Sequence, residues 1–121
     1  MTYSRLVIKS TNGTDRIETV NQALTVATTA LAAGVETSVW LTGDSVLLAV
    51  PRYAADIELE HGNSFEDMVS LIIAEGSLTV CTQCAARRNL TQVDLLPGVR
   101  IAGSTSFVEE ILRDGTQAIV Y

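Results

Sequence analysis

Two cysteines, Cys81 and Cys84, are the residues of this sequence whose type and spacing could do chemistry. Cys81 follows the short, largely apolar segment Ser77 to Val80, which we predict to be a strand, and Cys84 lies one turn into a helix that begins there. The three-residue spacing puts both sulfurs on one side of that helix, close enough to form a disulfide. Unpaired N–H groups and the positive dipole of a helix start favour thiolate over thiol. The pattern therefore predicts a nucleophilic Cys81, with Cys84 as a resolving or relay thiol.

Four further residues are candidates for substrate binding. Thr82 and Gln83 lie at the predicted helix start, where their backbone N–H groups could bind an anionic sulfur. Asn12 and Thr42 each follow a predicted strand. In a parallel sheet the carboxyl ends of the strands meet at one edge, where ligands bind. We therefore expect Asn12 and Thr42 to lie near Cys81.

Other uses of a CxxC pair stay open. Free cysteines are often buried and inert, so a passive role is one alternative. A structural zinc site needs four ligands, and beyond the two cysteines the sequence offers one histidine, His61, so we expect no metal. A thioredoxin-like pair usually lies near the first βα unit, whereas this one follows the third strand. Because phosphate-binding glycine motifs and a serine-nucleophile elbow are also missing from the sequence, we expect no cofactor.

Hydrophobic periodicity predicts five strands that alternate with helices. The apolar residues between Ile17 and Leu31 recur every three or four positions, which is typical of one buried helix face. Asp15, Asp44, Ser64 and Ser106 are predicted helix caps. Residues 52–63 are the least regular part and are expected to form a loop. The predicted strands are Arg5–Ser10, Glu36–Leu41, Ser77–Val80, Val99–Ala102 and Ala118–Tyr121.

This alternation predicts an α/β fold, a three-layer α/β/α sandwich around a five-stranded parallel sheet. Parallel strands need helical crossovers, and these crossovers cover both faces of the sheet. The 121 residues are enough for one domain with its own core, so we predict a single domain over residues 1–121. With 47% hydrophobic and only 5% aromatic residues, that core must be aliphatic.

Charge and hydropathy argue against several function classes. The formal net charge is −6 and no basic face is visible, so we expect no nucleic-acid binding. No segment approaches the roughly 20 apolar residues of a membrane span, and the N-terminus lacks a signal-peptide pattern. We therefore expect a cytoplasmic protein without membrane contact, whose two cysteines are not a structural disulfide. The high apolar content is typical of a chain that hides surface in an oligomer.

The sequence resembles the DsrE/DsrF-like family, of the YchN and TusD types. The resemblance lies in the segment Val80–Leu90 with its CxxC, in Asp94–Val99, and in the closing helix and strand up to Tyr121. The turn at Lys9–Gly13 and the long first helix also fit. The resemblance implies a five-stranded parallel sheet between helices and a homo-oligomer, either a trimer or a hexamer.

The resemblance also implies a sulfur-handling function. In the sulfur-relay members a cysteine after the third strand carries sulfur as a persulfide, and Cys81 occupies that position. Those subunits generally lack a second cysteine three residues on, so Cys84 leaves open whether the protein passes persulfide sulfur or cycles a dithiol. We predict a persulfide carrier or sulfurtransferase that exchanges sulfur with donor and acceptor proteins or small thiols. The alternatives are a thiol–disulfide redox protein and a non-catalytic oligomeric binding or regulatory protein.

Overall fold

Five parallel strands form one sheet in the computed structural model, which describes residues 3–121. The strands are β1 (Arg5–Ser10), β2 (Glu36–Leu41), β3 (Ser77–Cys81), β4 (Arg100–Ala102) and β5 (Thr116–Val120). Their order across the sheet is β4-β3-β2-β1-β5, and every neighbouring pair is parallel. The predicted five-stranded parallel sheet is therefore confirmed.

Helices connect consecutive strands, as parallel pairing requires. The α-helices are α1 (Ile17–Ala32), α2 (Phe65–Glu75), α3 (Thr82–Arg87) and α4 (Ser104–Ile111). Short 3-10 segments lie in the connections, at Thr14–Arg16, Gly43–Ala49, Ala54–Asp56 and Gln92–Asp94. Residues 52–63, predicted to be a loop, thus contain one 3-10 turn.

The helices divide between the two faces of the sheet. From β1 the chain moves one way across the sheet through β2 and β3 to β4, and α4 then returns it to β5 on the far side of β1. Since βαβ crossovers are right-handed, this reversal puts α4 on the face opposite α1 and α2. The predicted three-layer α/β/α sandwich is confirmed.

The two faces of the sheet differ in polarity. The face under α1 and α2 is aliphatic, and its side chains belong to the main core, which includes Ile8, Val39, Leu41, Leu78 and Val80. The face under α4 alternates with it along each strand. That face carries Lys9, Ser38, Trp40, Thr79 and Arg100. It therefore offers polar groups for chemistry, whereas the other face serves packing.

The structure corrects two predicted helix caps, one at the start of α1 and one after β2. Asp15 does not cap α1, because a 3-10 turn precedes that helix and the Asp15 carboxylate accepts the Gly13 N–H at 2.8 Å. Asp44 lies inside the 3-10 segment Gly43–Ala49, whose N-cap residue is Thr42. Asp15 thus satisfies a nearby loop N–H instead of a helix end, whereas Asp44 pairs with the guanidinium of Arg88.

The later boundaries include one confirmed cap and one wrong cap. Ser64 caps α2, since its hydroxyl accepts the Asp67 N–H at 3.2 Å. The predicted cap at Ser106 is wrong: α4 begins at Ser104 and its N-cap residue is Gly103. Three consecutive residues from Ser104 to Ser106 are all competent caps, so the local sequence does not single out one start.

Candidate functional site

Cys81 is the last residue of β3 and the N-cap residue of α3. Strand β3 is short and buried in its middle, and the chain turns into α3 at Thr82 without any intervening loop residue. This junction leaves the Cys81 side chain partly exposed at the carboxyl edge of the sheet. The predicted strand-to-helix junction at the cysteine is thus observed.

Opposing effects act on the pKa of the Cys81 thiol. Burial raises this pKa, because a thiolate loses solvation in the protein. The backbone N–H and the side chain of Cys84 lower it, as do the Gln83 N–H and the positive charge of Lys9. The pKa of Cys81 lies below its ordinary value as a result. The Gln83 and Cys84 N–H groups belong to the second and third residues of α3, at the positive end of the helix.

Cys84 differs from Cys81 in its surroundings, although the two residues are close together. Its side chain is buried, with 8% of its surface exposed, and belongs to the main core. Its sulfur accepts a hydrogen bond from the backbone N–H of Gly43 at 3.2 Å. The second thiol is therefore held by the loop after β2, whereas the first faces outward.

The loop conformation that brings the Gly43 N–H to Cys84 requires a glycine. The backbone of Gly43 has a φ of +54°, in the left-handed region, and a Cβ atom there would lie 2.7 Å from the carbonyl oxygen of Thr11. The same loop is tied to the far end of α3, since Arg88 pairs with Asp44 at 2.7 Å and donates to the Cys84 carbonyl at 3.1 Å. These contacts position α3 against the loop.

A small cavity of about 70 Å³ opens beside Cys81 at the carboxyl edge, and we call it the cysteine cavity. Its walls come from four strands or strand ends and from the start of α4. They are formed by Lys9, Trp40, Thr42, Cys81, Gly103, Ser104 and Phe107. The cavity therefore combines a thiol, one cation, two hydroxyls and two aromatic rings.

The aromatic walls and the cation of the cysteine cavity contact one another. The rings of Trp40 and Phe107 meet edge to face, with centroids 5.2 Å apart. The Nζ atom of Lys9 lies 5.1 Å from the centre of the Phe107 ring, within the range of a cation–π contact. This contact holds the ammonium group of Lys9 at the cavity, where its charge favours the Cys81 thiolate.

A buried carboxylate holds Trp40 in place from behind. Glu110 of α4 accepts the indole N–H of Trp40 at 3.1 Å and pairs with Arg100 at 2.8 Å. The guanidinium of Arg100 also lies over the Trp40 ring, 5.5 Å from its centre. A buried charge needs such partners, so Glu110, Arg100 and Trp40 fix the orientation of the aromatic wall.

The structure brings some of the predicted site residues to Cys81 and leaves others apart. Thr42 lines the cysteine cavity, as expected from its place after β2. Thr82 and Gln83 are exposed at the start of α3, and of the two only Gln83 affects the Cys81 pKa, through its backbone N–H. Asn12 is not part of the cavity wall. Its side chain donates to Asp15 at 3.2 Å, so it shapes the turn after β1.

Five residues of the cysteine cavity were missed by the sequence reasoning. Lys9 and Trp40 are the second-to-last residues of predicted strands, and Gly103, Ser104 and Phe107 lie around a helix start far along the chain. A signal was available for two of them: Lys9 is the only lysine and Trp40 the only tryptophan. Lys9 is also a charged residue between two buried ones, Ile8 and Ser10.

Among residues 3–121, no three side chains of the His, Cys, Asp and Glu types come together as metal ligands. His61 is exposed in its loop. Within the same part of the chain, no helix is both long enough and apolar enough to span a bilayer.

Solved structures of similar fold cover the whole architecture. The YchN protein from E. coli has a TM-score of 0.72 and 14% identity, with 98% of this chain and 99% of that chain covered. MTH1491 from Methanobacterium thermoautotrophicum has a TM-score of 0.62 and 14% identity, with coverage of 98% and 99%. BT1422 from Bacteroides thetaiotaomicron has a TM-score of 0.63 and 15% identity, with coverage of 98% and 95%. At such identities the likeness shows the fold alone.

Family membership rests on the sequence comparison. No curated protein matches the sequence. The DsrE/DsrF-like family model matches residues 5–121, which include all five strands and both cysteines. The earlier resemblance is therefore confirmed, and this chain belongs to the DsrE/DsrF-like family.

Proposed function

We propose that this protein is a persulfide carrier, a sulfurtransferase in which Cys81 accepts sulfane sulfur. The observation that carries the proposal is the position of Cys81: its thiol is partly exposed, lines the cysteine cavity beside Lys9 and has a lowered pKa. Thiolate is the reactive form of cysteine, so a lowered pKa increases the nucleophilic fraction of Cys81 at a given pH. Membership of the DsrE/DsrF-like family supports the same assignment.

The proposed step transfers one sulfur atom without a net redox change. The Cys81 thiolate attacks the outer sulfur of a persulfide donor, RS–SH. A new S–S bond forms on Cys81, the S–S bond of the donor breaks, and the donor leaves as the thiolate RS⁻. With thiosulfate as donor, sulfite leaves instead. An acceptor thiolate then takes the outer sulfur by the same exchange, which restores the Cys81 thiolate.

The cysteine cavity fits the product of this step. A water molecule takes up about 30 Å³ in the liquid, so a cavity of about 70 Å³ has room for the added sulfur while the rest of the donor stays outside. The charge of Lys9 stabilises the terminal anionic sulfur, and the rings of Trp40 and Phe107 shield it from solvent. Ser104 can donate its hydroxyl hydrogen to it. Thr42 can do so only by giving up its 3.4 Å hydrogen bond to the Ser10 carbonyl.

A second candidate function is a dithiol cycle, favoured by the contact between the two cysteines. In this reaction the Cys84 thiolate attacks the inner sulfur of the Cys81 persulfide. The Cys81–Cys84 disulfide forms and hydrosulfide, HS⁻, leaves. An external dithiol must then reduce the disulfide. Because the Cys84 sulfur accepts the Gly43 N–H, it must first give up that hydrogen bond, which favours the carrier function.

The proposed partners are sulfur donor and acceptor proteins or small thiols, in the cytoplasm, where thiols stay reduced. We also propose a homo-oligomer, a trimer or a hexamer. Exposed apolar side chains on α4, at its C-cap and on β5 support it, since Val108, Leu112 and Val120 are 46%, 74% and 63% exposed. Sedimentation velocity measures the assembly state, and a monomer at micromolar concentration would contradict this part of the proposal.

Intact mass spectrometry after exposure to inorganic polysulfide or thiosulfate tests the carrier function. We expect the wild-type protein to gain one sulfur, removable by cyanide or a thiol, and Cys81→Ser to gain none. Cys84→Ser should still gain it if the protein is a carrier, and should accumulate more of it if Cys84 normally releases hydrosulfide. Sulfur gained by Cys81→Ser at the wild-type rate would reject the assignment of Cys81.

A further inference from the structure

A second and larger cavity, of about 350 Å³, opens at the opposite edge of the sheet, where the strands begin. We call it the amino-edge cavity. Its walls include the first residues of β1, β2, β3 and β4 and the end of α4. The side chains that bear on its chemistry are Arg5, Ser38, Ser77, Arg100, Glu110 and Arg113. None of these residues lines the cysteine cavity.

Ser38 gives this cavity an unsatisfied hydrogen-bonding group. The residue is 5% exposed, and its hydroxyl oxygen has no hydrogen-bond partner among the described residues. Strand alternation puts Ser38 on the same face as Trp40, and parallel pairing aligns it with Ser77 of β3, which also lines the cavity. A buried hydroxyl without a partner is unfavourable, so the site is complete only when something hydrogen-bonds there.

The guanidinium groups supply more donors than the protein uses. Arg5 pairs with Glu36 at 2.5 Å, and Arg100 donates to Thr79 at 3.0 Å and to Glu110 at 2.8 Å. Each guanidinium carries five N–H groups, so both arginines keep unused donors. Among residues 3–121, no carboxylate lies within ion-pair distance of Arg113. Three of the eight basic residues of this acidic chain thus converge on one cavity.

The charges around the cavity restrict the kind of ligand. Glu36, Glu75 and Glu110 also line it, so the three arginines are balanced by three carboxylates. Arg5 and Arg100 engage Glu36 and Glu110, whereas Arg113 and Glu75 form no ion pair among residues 3–121. The charge of Glu75 offsets that of Arg113, so a multiply charged anion is disfavoured more strongly than a monocarboxylate. The planar fork of a guanidinium matches the two oxygens of a carboxylate. Hydrogen-bond geometry, rather than net charge, therefore selects the ligand.

We propose that the amino-edge cavity is a binding site for a small organic monocarboxylate, held by the guanidinium of Arg113 and the hydroxyl of Ser38. The ligand carboxylate satisfies the Ser38 hydroxyl and the free donors of Arg113 together. The site lies at the opposite edge of the sheet from Cys81 and does not depend on the proposed sulfur chemistry.

Trp40 provides the readout for a binding experiment. It is the only tryptophan, and its indole N–H donates to Glu110, whose side chain lines the cavity. Acetate, propionate and sulfate are titrated at constant ionic strength against chloride, with Trp40 fluorescence and amide NMR shifts recorded. We expect a saturable response to the monocarboxylates that maps to the starts of β1 to β4. Cys81→Ser should bind as well as wild type, whatever its sulfur chemistry.

Two variants and one matched control decide the assignment. Arg113→Gln and Ser38→Ala should each weaken acetate binding about tenfold, since a hydrogen bond to a charged group is lost. Arg87→Gln, another exposed arginine but on α3, should bind normally. Ser38→Ala should melt at or above the wild-type temperature, because it removes a hydroxyl that has no partner. If it fails to fold, the exposed Arg113→Gln decides alone.

Three outcomes would overturn the proposal. The first is a carboxylate response no larger than that to chloride. The second is unchanged affinity in Arg113→Gln together with a folded Ser38→Ala. The third is tight binding of sulfate without binding of acetate or propionate, which would assign the cavity to a tetrahedral oxyanion instead.

Discussion

The backbone N–H of Gly43 donates a hydrogen bond to the sulfur of Cys84 at 3.2 Å. This contact makes the two cysteines of the CxxC pair inequivalent. Cys84 is anchored to the loop after β2 and buried, whereas Cys81 opens on the cysteine cavity beside the charge of Lys9. The Cys81 thiol is therefore accessible from solvent, whereas the Cys84 thiol is buried and hydrogen-bonded.

This inequivalence predicts the order of alkylation. At neutral pH, iodoacetamide should modify Cys81 much faster than Cys84, because only Cys81 combines exposure with a lowered pKa. Peptide mapping of partly alkylated protein identifies the modified site. Protein unfolded in urea serves as the control, and there both thiols should react at similar rates. Faster modification of Cys84 in the folded protein would contradict the structure.

Replacement of Lys9 tests the electrostatic part of the site. Lys9→Met should raise the pKa of Cys81 and slow its alkylation at neutral pH, because the positive charge that favours the thiolate is gone. Lys9→Arg keeps the charge and should retain most of the wild-type rate. The measurement is the alkylation rate of Cys81 in a Cys84→Ser background as a function of pH.

The same pKa shift predicts a pH dependence of stability. Because the folded protein holds the pKa of Cys81 below its unfolded value, it binds fewer protons there than the unfolded chain does. This contribution to the free energy of unfolding is fully present above the unfolded pKa of about 8.5. It is lost as the pH falls through the folded pKa. Chemical denaturation across this range should show a slope that Cys81→Ser removes.

Two glycines offer a matched pair for testing the loop that holds Cys84. Gly34→Ala places a side chain at a φ of +80° with nothing within 4 Å, so it should cost about 1–2 kcal/mol of strain. Gly43→Ala adds a clash with the Thr11 carbonyl, at 2.7 Å, and should cost at least about 1 kcal/mol more. Urea denaturation measures both values.

Gly43→Ala should also change the chemistry of the second thiol. If the loop shifts, the hydrogen bond to the Cys84 sulfur is lost and Cys84 becomes easier to alkylate. Gly34→Ala lies at the end of α1 and should leave Cys84 as protected as in wild type. Equal protection of Cys84 in the two variants would show that the Gly43 contact does not hold the thiol.

The carboxylate of Glu110 accepts the Trp40 N–H and pairs with Arg100. Removing Arg100 should therefore cost more stability than removing the charge of Glu110 itself. Arg100→Met leaves the charge of Glu110 buried with only the Trp40 indole as partner, so it should lower the free energy of unfolding by about 1–3 kcal/mol. The value stays in this range because the Arg100 side chain is 49% exposed, and solvent screens the pair. Denaturation followed by Trp40 fluorescence measures the loss.

Glu110→Gln provides the comparison for that measurement. It keeps an oxygen acceptor for Trp40 and removes the buried charge, so it should destabilise less than Arg100→Met does. The double variant should be more stable than the sum of the single effects predicts, because no uncompensated charge remains. Additive effects of the two changes would mean that Arg100 and Glu110 do not act as a pair.

Much of the architecture could be predicted because it depends on local patterns in the sequence. The buried runs of β1 and β2, the apolar stripe of α1 and the Ser64 cap all depend on neighbours within a few residues. The junction at Cys81 could be predicted for the same reason. Where the local signal is ambiguous the prediction was wrong, as at Ser106, because neighbouring residues are equally good helix caps.

By itself the sequence determined the alternation of strands and helices, and with it a parallel sheet whose carboxyl edge carries Cys81. Only the tertiary structure decided what surrounds that thiol. Lys9, Trp40 and Phe107 come from β1, β2 and α4, and they meet because strand order and the return of α4 place them on one face. Side-chain periodicity tells which residues share a face of one strand. It carries no information about which strands are neighbours.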